Sequence, residues 1–476
     1  MATELLRFRR DGQLLLVDGY AIRPLLVRRG GHEVEALLAE VDRTRDVPAV
    51  LAAGVEAGLL RALLNHGIIV DAMQPRPPGR RRRPGDLQQS RGMSLYLLLA
   101  QDCNLGCVYC LNGESTYHRA DAPRMSEEIA LRAVEMCFER MRPGGMLQIV
   151  LFGGEPLLNW PLAKAVMDQV EADLGPKYPD RAVHFHLTSN LAKLPSDLLE
   201  RIERHKMTVL CDIDGPPELH DKTRPFRDGR GSCARITANV RRLVGAGVQV
   251  ALRATVTSRN VDRMVDIARY HKEIGGSSTA MVAVNAVNSD EQMLGADLLP
   301  DPERFAQGLC DILDESGWPI ERIFPFNMMQ GRIRPGARST IACGAPHGNT
   351  PVVDTNGDIY ACIYLVGMPA YRTGNVFDPA GFPDRDVVEH MTEVLHVDNL
   401  PECRDCSYRY VCVGGCPVGH LLVTGSRDAG EYARAYHKDM RCRTTQTVVE
   451  EILWRVAERA SAQAAGDPQP QPALCG

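Results

Sequence analysis

Apolar and polar positions along this chain fall into blocks that predict a small α/β module, a linker, and a long run of strand–helix units. Leu14-Leu15-Leu16-Val17 follows an Asp11-Gly12 turn signal, as the second arm of a hairpin would. Helical periodicity follows over residues 32–41 and 47–65, the second stretch carrying Leu59, Leu60, Leu63 and Leu64 on one face and stopped by Gly67. Residues 68–70 read as a short closing strand. Strands are expected again at 95–100, 147–152, 183–187, 207–213, 248–256 and 280–284, with helices such as 126–140 and 162–174 between them. Repeated strand–helix order implies a parallel sheet with right-handed crossovers, and six units suit an incomplete (β/α)6 barrel. Function in such barrels collects where the strands end.

Between module and barrel, residues 73–92 include Pro75, Pro77, Pro78, the run Arg80 to Arg83, Pro84 and Gly85, a composition that favours an extended, solvated spacer or a basic patch for an acidic partner. The expected organisation is thus a module at 1–72, a linker at 73–92, a barrel at 93–300, a bridging segment at 301–340, a cysteine-rich domain at 341–450, and a helix end with a mobile tail at 451–476.

Sixty acidic against 55 basic residues, a formal net charge of -5, give no global field for nucleic acid. The charged N-terminus lacks a secretory signal and no apolar run is long enough to span a bilayer, so a cytoplasmic location without membrane contact is expected. Fifteen cysteines in a reducing compartment argue for metal binding or catalysis over disulfides.

Three of them form Cys103-x3-Cys107-x2-Cys110, directly after the first barrel strand. Three thiolates on one loop can hold three irons of a [4Fe–4S] cube and leave the fourth open. A zinc site with a distant fourth ligand, or a plain electron-transfer cluster, would use the same residues. The next strand ends in Phe152-Gly153-Gly154-Glu155-Pro156, where paired glycines permit close approach to the backbone and a carboxylate suits an ammonium group. Together the two motifs resemble the radical S-adenosylmethionine (SAM) superfamily. The resemblance implies that SAM binds the open iron and releases methionine and a 5′-deoxyadenosyl radical when reduced, with a one-electron donor such as flavodoxin or ferredoxin.

By position, Tyr109 matches the aromatic residue that this family places near the adenine. Residues 212–225 resemble a signature of its peptide-modifying branch, in which the position of Arg224 holds the methionine carboxylate and that of Asp212 is commonly a SAM-contacting serine. Asp212 departs from that pattern, and both residues would also suit an ordinary salt bridge at a strand end. The implied SAM contacts are Tyr109, Gly153, Gly154, Glu155, Asp212 and Arg224. Asp212, Asp214 and His220 are the candidates for a general base.

Toward the C-terminus Cys343 is followed by Gly357 and Cys362, then by Cys403-x2-Cys406-x5-Cys412-x3-Cys416 and Cys442. A zinc ribbon would account for Cys403-x2-Cys406 alone. The whole set resembles the SPASM extension of radical SAM enzymes, which implies two auxiliary [4Fe–4S] clusters and three in all. By that resemblance Cys403, Cys406, Cys412 and Cys442 hold the outer one, and Cys343, Cys362 and Cys416 the inner one. Three thiolates leave an inner iron open to a substrate cysteine, with His347 as the rival ligand. Cys137, Cys211, Cys233 and Cys310 read as buried small residues or spare thiols, and Cys475 as part of the tail.

The layout of the first seventy residues resembles the winged-helix-like leader-recognition module of peptide-modifying systems, which would tether a leader-bearing, cysteine-containing peptide or small protein. On that reading, deleting residues 1–72 weakens peptide turnover and spares SAM cleavage. The sulfatase-maturing branch, which makes formylglycine, places an aspartate after the second SPASM cysteine, where this chain has Ile363. Gly374-Asn375-Val376 is similar instead to thioether-forming maturases. The family most similar as a whole is the maturation protein of quinohemoprotein amine dehydrogenase, which links cysteines to methylene carbons of aspartate or glutamate in the small subunit. Alternatives are thioethers to an α-carbon, carbon–carbon links, formylglycine formation, or an iron–sulfur electron-transfer or binding protein.

Overall fold

A computed structural model describes residues 5–20, 23–44, 56–70, 92–110, 122–285, 296–333, 340–425 and 430–464. The linker up to residue 91, the first part of the helix expected at 47–65, and Cys475 lie outside the described residues.

Strands β1 (Leu5–Arg10), β2 (Gln13–Asp18) and β3 (Arg23–Val27) form an antiparallel sheet in that order. Asp11 and Gly12 both take positive φ, 49° and 75°, the mirror-image turn whose twist matches the flanking strands. Helices α1 (Gly31–Thr44) and α2 (Ala57–Asn65) cover one face through Val34, Leu37, Leu38, Leu60 and Leu63. Two expectations change here. Residues 68–70 are not a strand, because the Ile68 N–H closes the helix end on the Leu63 carbonyl (2.9 Å) while left-handed Gly67 bonds to Leu64. The third strand is Arg23–Val27, disguised by Pro24, which an edge strand tolerates.

Among the described residues the main sheet has ten strands in the order β10-β9-β8-β7-β6-β5-β4-β11-β12-β13. Six of them, β4 (Gly92–Ala100), β5 (Met146–Gly153), β6 (Ala182–Ser189), β7 (Thr208–Asp212), β8 (Val250–Val256) and β9 (Ser278–Ala283), are parallel and correspond to the expected partial barrel. Helices between them include Glu127–Arg140, N-capped by Ser126, and Trp160–Gln169. Alternation divides the strands: Leu95, Leu97, Leu147, Ile149 and Leu151 pack in the core shared with these helices, whereas Leu98, Tyr96 and Phe152 pack with Val352 and Tyr360.

Both flanks of the barrel continue into segments expected to be separate. The bridging region supplies β10 (Ile323–Phe324), parallel to β9, and the cysteine-rich region supplies β11 (Val352–Val353), parallel to β4, followed by β12 (Asp358–Tyr360) and β13 (Arg372–Asn375). No helix among the described residues is long and apolar enough to cross a membrane.

The second face of the N-terminal sheet is equally covered. Leu6, Phe8, Leu15 and Val17 join one core with Trp318, Trp454 and residues of the long helix Gly430–Ala464. Arg10 pairs with Glu451 and stacks 5.3 Å from the Trp454 ring centroid. Phe8 meets Tyr408 edge-on at 6.3 Å and Tyr20 meets Tyr410 at 5.5 Å, the latter pair in a cluster with Cys403. The module is thus built into the molecule and not hung from it. Removing residues 1–72 should lower the melting temperature of the remaining chain, read by thermal unfolding. Leu15→Ala should cost about 2–5 kcal/mol of stability, read by thermal or urea unfolding.

Candidate active site

The cysteine loop leaves β4 and is pinned from two sides. Gly106 and Val108 donate backbone hydrogen bonds to Pro225 (2.8 Å) and Thr223 (3.0 Å); Gly154 and Glu155 donate to Ala100 (2.8 Å) and Asp102 (3.0 Å). A Cβ on Gly153 would stand 2.3 Å from the Ala100 oxygen, and one on Gly154 2.4 Å from the Asp102 oxygen. What approaches these glycines in this structure is the backbone of the cysteine loop itself.

Cys103, Cys107 and Cys110 are half-buried, and burial pushes the Cys103 thiol up to about 12 and Cys107 higher still. Unliganded, these thiols stay protonated. Yet donors point at the sulfurs: Leu105 N–H (3.4 Å) and Asn190 Nδ2 (3.7 Å) at Cys103, and Arg224 Nη1 (3.9 Å) at Cys107. Donors around sulfur favour thiolates, so the set fits an iron–sulfur cluster.

Glu155 is buried, and its carboxylate already accepts from Leu157 N (3.0 Å), Ser189 Oγ (2.8 Å) and Asn190 N (2.8 Å). Burial raises it to about 7 against those three bonds. It ties the end of β5 to the end of β6, and one oxygen keeps a single donor.

The proposed bases lie side by side, yet none has the setting of a base. Asp214 is fully buried and accepts from the Tyr109 hydroxyl, Thr223 Oγ1 (2.7 Å), Arg224 Nε (3.2 Å) and Thr255 N (3.0 Å). His220 accepts from Asp214 N at Nδ1 (3.0 Å). Its Nε2 lies 2.9 Å from Ser232 Oγ, whose own proton goes to the Arg224 carbonyl (2.5 Å). Nε2 therefore carries the hydrogen, and no lone pair remains for a substrate. Burial holds His220 down to about 4. Asp212 is gripped by Arg253 through Nε (2.6 Å) and Nη2 (3.0 Å), and Arg224 lies 3.6 Å away. Burial works to raise Asp212, but the two arginines outweigh it and leave a carboxylate below its ordinary range, a weak base.

Arg224 is the common member: it bonds Asp214, faces Asp212, reaches Cys107, and lies 5.3 Å from the Tyr109 ring centroid. Sequence reasoning missed Arg253, although one arginine within the apolar strand Val-Ala-Leu-Arg-Ala-Thr-Val is itself a signal of a charged lumen position.

The C-terminal thiols fall into two sets by mutual electrostatics. Cys343, Cys362 and Cys416 act on one another, and Cys403, Cys406, Cys412 and Cys442 form a connected group. Burial pushes both Cys362 and Cys403 up to about 12. Tyr96 and Tyr364, whose hydroxyls burial also raises, lie within electrostatic reach of both the inner thiols and Arg253. His347 sits in the short turn Ala345–His347 after Cys343. Among the described residues, no three His, Cys, Asp or Glu side chains gather around a single metal ion. Of the remaining cysteines, Cys137, Cys211 and Cys233 are buried and Cys310 half-buried.

Asp214→Asn should leave Arg224 short of its buried counter-charge and cost about 3–5 kcal/mol, measured by unfolding. His271, bonded to Thr279 (2.8 Å) and the Ile213 carbonyl (2.7 Å), is held like His220 at about 4. The unfolded chain takes up these protons near 6.5, so stability should fall as pH drops from 7 toward 4, read by urea unfolding at pH 7.5 and 5.5.

Residues 97–271 match the family model of the radical SAM superfamily. The serine-type anaerobic sulfatase-maturating enzyme of Klebsiella aerogenes is 24% identical over 357 residues, 70% of this chain and 82% of its own. The cysteine-type enzyme of Clostridium perfringens is 22% identical over 332 residues, 66% and 85% of the two chains. Among solved structures, native anSMEcpe with bound AdoMet superposes with a TM-score of 0.59 at 18% identity, over 75% of this chain and 98% of that one. Streptococcus suis SuiB bound to precursor peptide SuiA gives 0.52 at 13% identity, over 90% and 97%. At such identities the structural likeness speaks for the fold alone. With the parallel sheet and the cysteine loop at its rim, the family match makes residues 97–271 a radical SAM domain within a chain that is similar, over about two thirds of its length, to anaerobic sulfatase-maturating enzymes.

Proposed function

We propose that this chain is a peptide maturase that forms thioether cross-links between cysteine sulfur and the methylene carbons of aspartate or glutamate, its substrate being the small subunit of quinohemoprotein amine dehydrogenase. One observation carries the reading: Arg224, which reaches Cys107, is joined through Asp212 to Arg253, and Arg253 lies within electrostatic reach of Tyr96 and Tyr364, the tyrosines that also neighbour the inner thiols. A radical source and a sulfur-binding site linked by one run of charged and aromatic side chains would suit coupling of carbon to sulfur. The relatives and neighbours that bind or mature polypeptides support a peptide substrate.

In this reading Cys103, Cys107 and Cys110 hold the cluster that binds SAM, and Tyr109, Gly153, Gly154, Glu155, Asp212 and Arg224 surround the SAM. Reduction of bound SAM supplies methionine and a hydrogen-abstracting 5′-deoxyadenosyl group. Cys343, Cys362 and Cys416 offer three thiolates where a cube has four corners, so a substrate cysteine would be able to supply the fourth donor. The reaction breaks one C–H and one S–H bond and makes one C–S bond. The hydrogen atom leaves in 5′-deoxyadenosine, the thiol proton goes to solvent, and one electron is returned for the one consumed. Cys403, Cys406, Cys412 and Cys442 would hold a second auxiliary cluster, which could supply an electron acceptor on the way to flavodoxin or ferredoxin. Asp212 and Arg253 neutralise each other and keep the lumen polar without supplying a strong base.

A formylglycine-forming activity is the second reading, favoured by the sulfatase-maturating relatives; Ile363 after Cys362 speaks against it. Anaerobic incubation with SAM, reductant and the small-subunit precursor separates the two. We expect 5′-deoxyadenosine and a loss of two hydrogens per link, mapped by mass spectrometry to a cysteine and an acidic residue. An aldehyde in place of a link would establish the second reading, and no 5′-deoxyadenosine would overturn both. Adding precursor should also change the spectrum of the inner cluster; an unchanged spectrum would exclude the substrate thiolate as its ligand.

A further inference from the structure

The two C-terminal thiol sets are separated by a buried cation. Arg441 precedes Cys442, and its side chain, 12% exposed, crosses Gly415, the neighbour of Cys416: a Cβ on Gly415 would stand 2.2 Å from Arg441 Cδ. Nη1 lies 2.9 Å from His420 Nε2, and Nη2 lies 3.6 Å from Glu402, the neighbour of Cys403. Nη2 is buried without a hydrogen-bond partner in the structure. A guanidinium cannot shed its proton, so this charge is permanent. It acts on Cys403, Cys406 and Cys412 of the outer set, and on Cys416 of the inner set.

We infer that Arg441 is a positioning residue for electrons: its fixed charge raises the reduction potential of the outer cluster more than that of the inner one, so that the electron released at the inner site runs outward. Each added electron makes a cluster more negative, and a cation in low dielectric stabilises the reduced form. A neutral residue would pack there without the orphaned donor. Glu402, 3.3 Å from His420 Nδ1, partly offsets the charge. The inference rests on the thiol assignment made under Proposed function.

The test is potentiometry followed by electron paramagnetic resonance on the full chain, with Cys103, Cys107 and Cys110 replaced by alanine so that only auxiliary clusters titrate. The outer signal is the one lost in Cys412→Ala. Arg441→Met should shift the outer midpoint to lower potential, and the inner midpoint less; Arg441→Lys should restore it. Glu402→Gln, which removes the opposing charge, should shift the outer midpoint upward, and it keeps the test open if Arg441→Met fails to load iron. Unmoved midpoints in fully loaded variants, or shifts of the same sign for Arg441→Met and Glu402→Gln, would overturn the role of Arg441. Iron for fewer than two cubes in the parent would remove the ligand sets, and the inference with them.

Discussion

A chain of charges running from buried Asp214 and Arg224 to half-buried Asp212 and Arg253 is the constraint on which the site depends. An unpaired ion in this interior would cost several kcal/mol, so each of the four fixes the place of the next. Asp214 holds Tyr109 and Arg224, which brings the segment after β7 against the cysteine loop. Arg253 carries the chain of pairs to β8 and toward the inner thiols. The result is a lumen whose charges balance within the protein and whose rim is set by hydrogen bonds and not by loop packing alone.

Much of the fold was legible because the barrel strands are runs of apolar residues with a period of two, separated by helices with a clear polar face. The short strands were not. Ile323–Phe324 and Val352–Val353 are two residues each, below the length at which periodicity carries information, and only pairing with β9 and β4 makes them strands. Pro24 hid β3, and the helix-closing bond from Ile68 removed a strand that composition alone suggested.

At the site, the thiols stood out as sets because short, regular cysteine spacings are legible in the sequence alone. The roles of Asp214, His220 and Glu155 were harder to read, since a buried polar residue and a reacting one look alike until their partners are known. Three side chains that could act as bases or cofactor contacts prove to be spending most of their acceptors on backbone and neighbouring side chains. The glycine pair has the same lesson: its bare Cα atoms serve the meeting of two loops.

The N-terminal sheet, sandwiched between its own helices and the helix Gly430–Ala464, has a consequence for biogenesis. Leu6, Phe8, Leu15 and Val17 are made well before the surface that covers them, which includes Trp318 and Trp454, more than three hundred residues further along the chain. Until then an apolar strand face stays open to water, a state prone to association. The three strands can pair with one another early, but one face of their sheet waits on distant sequence, and Tyr20 meets the Cys403 loop from more than three hundred residues away.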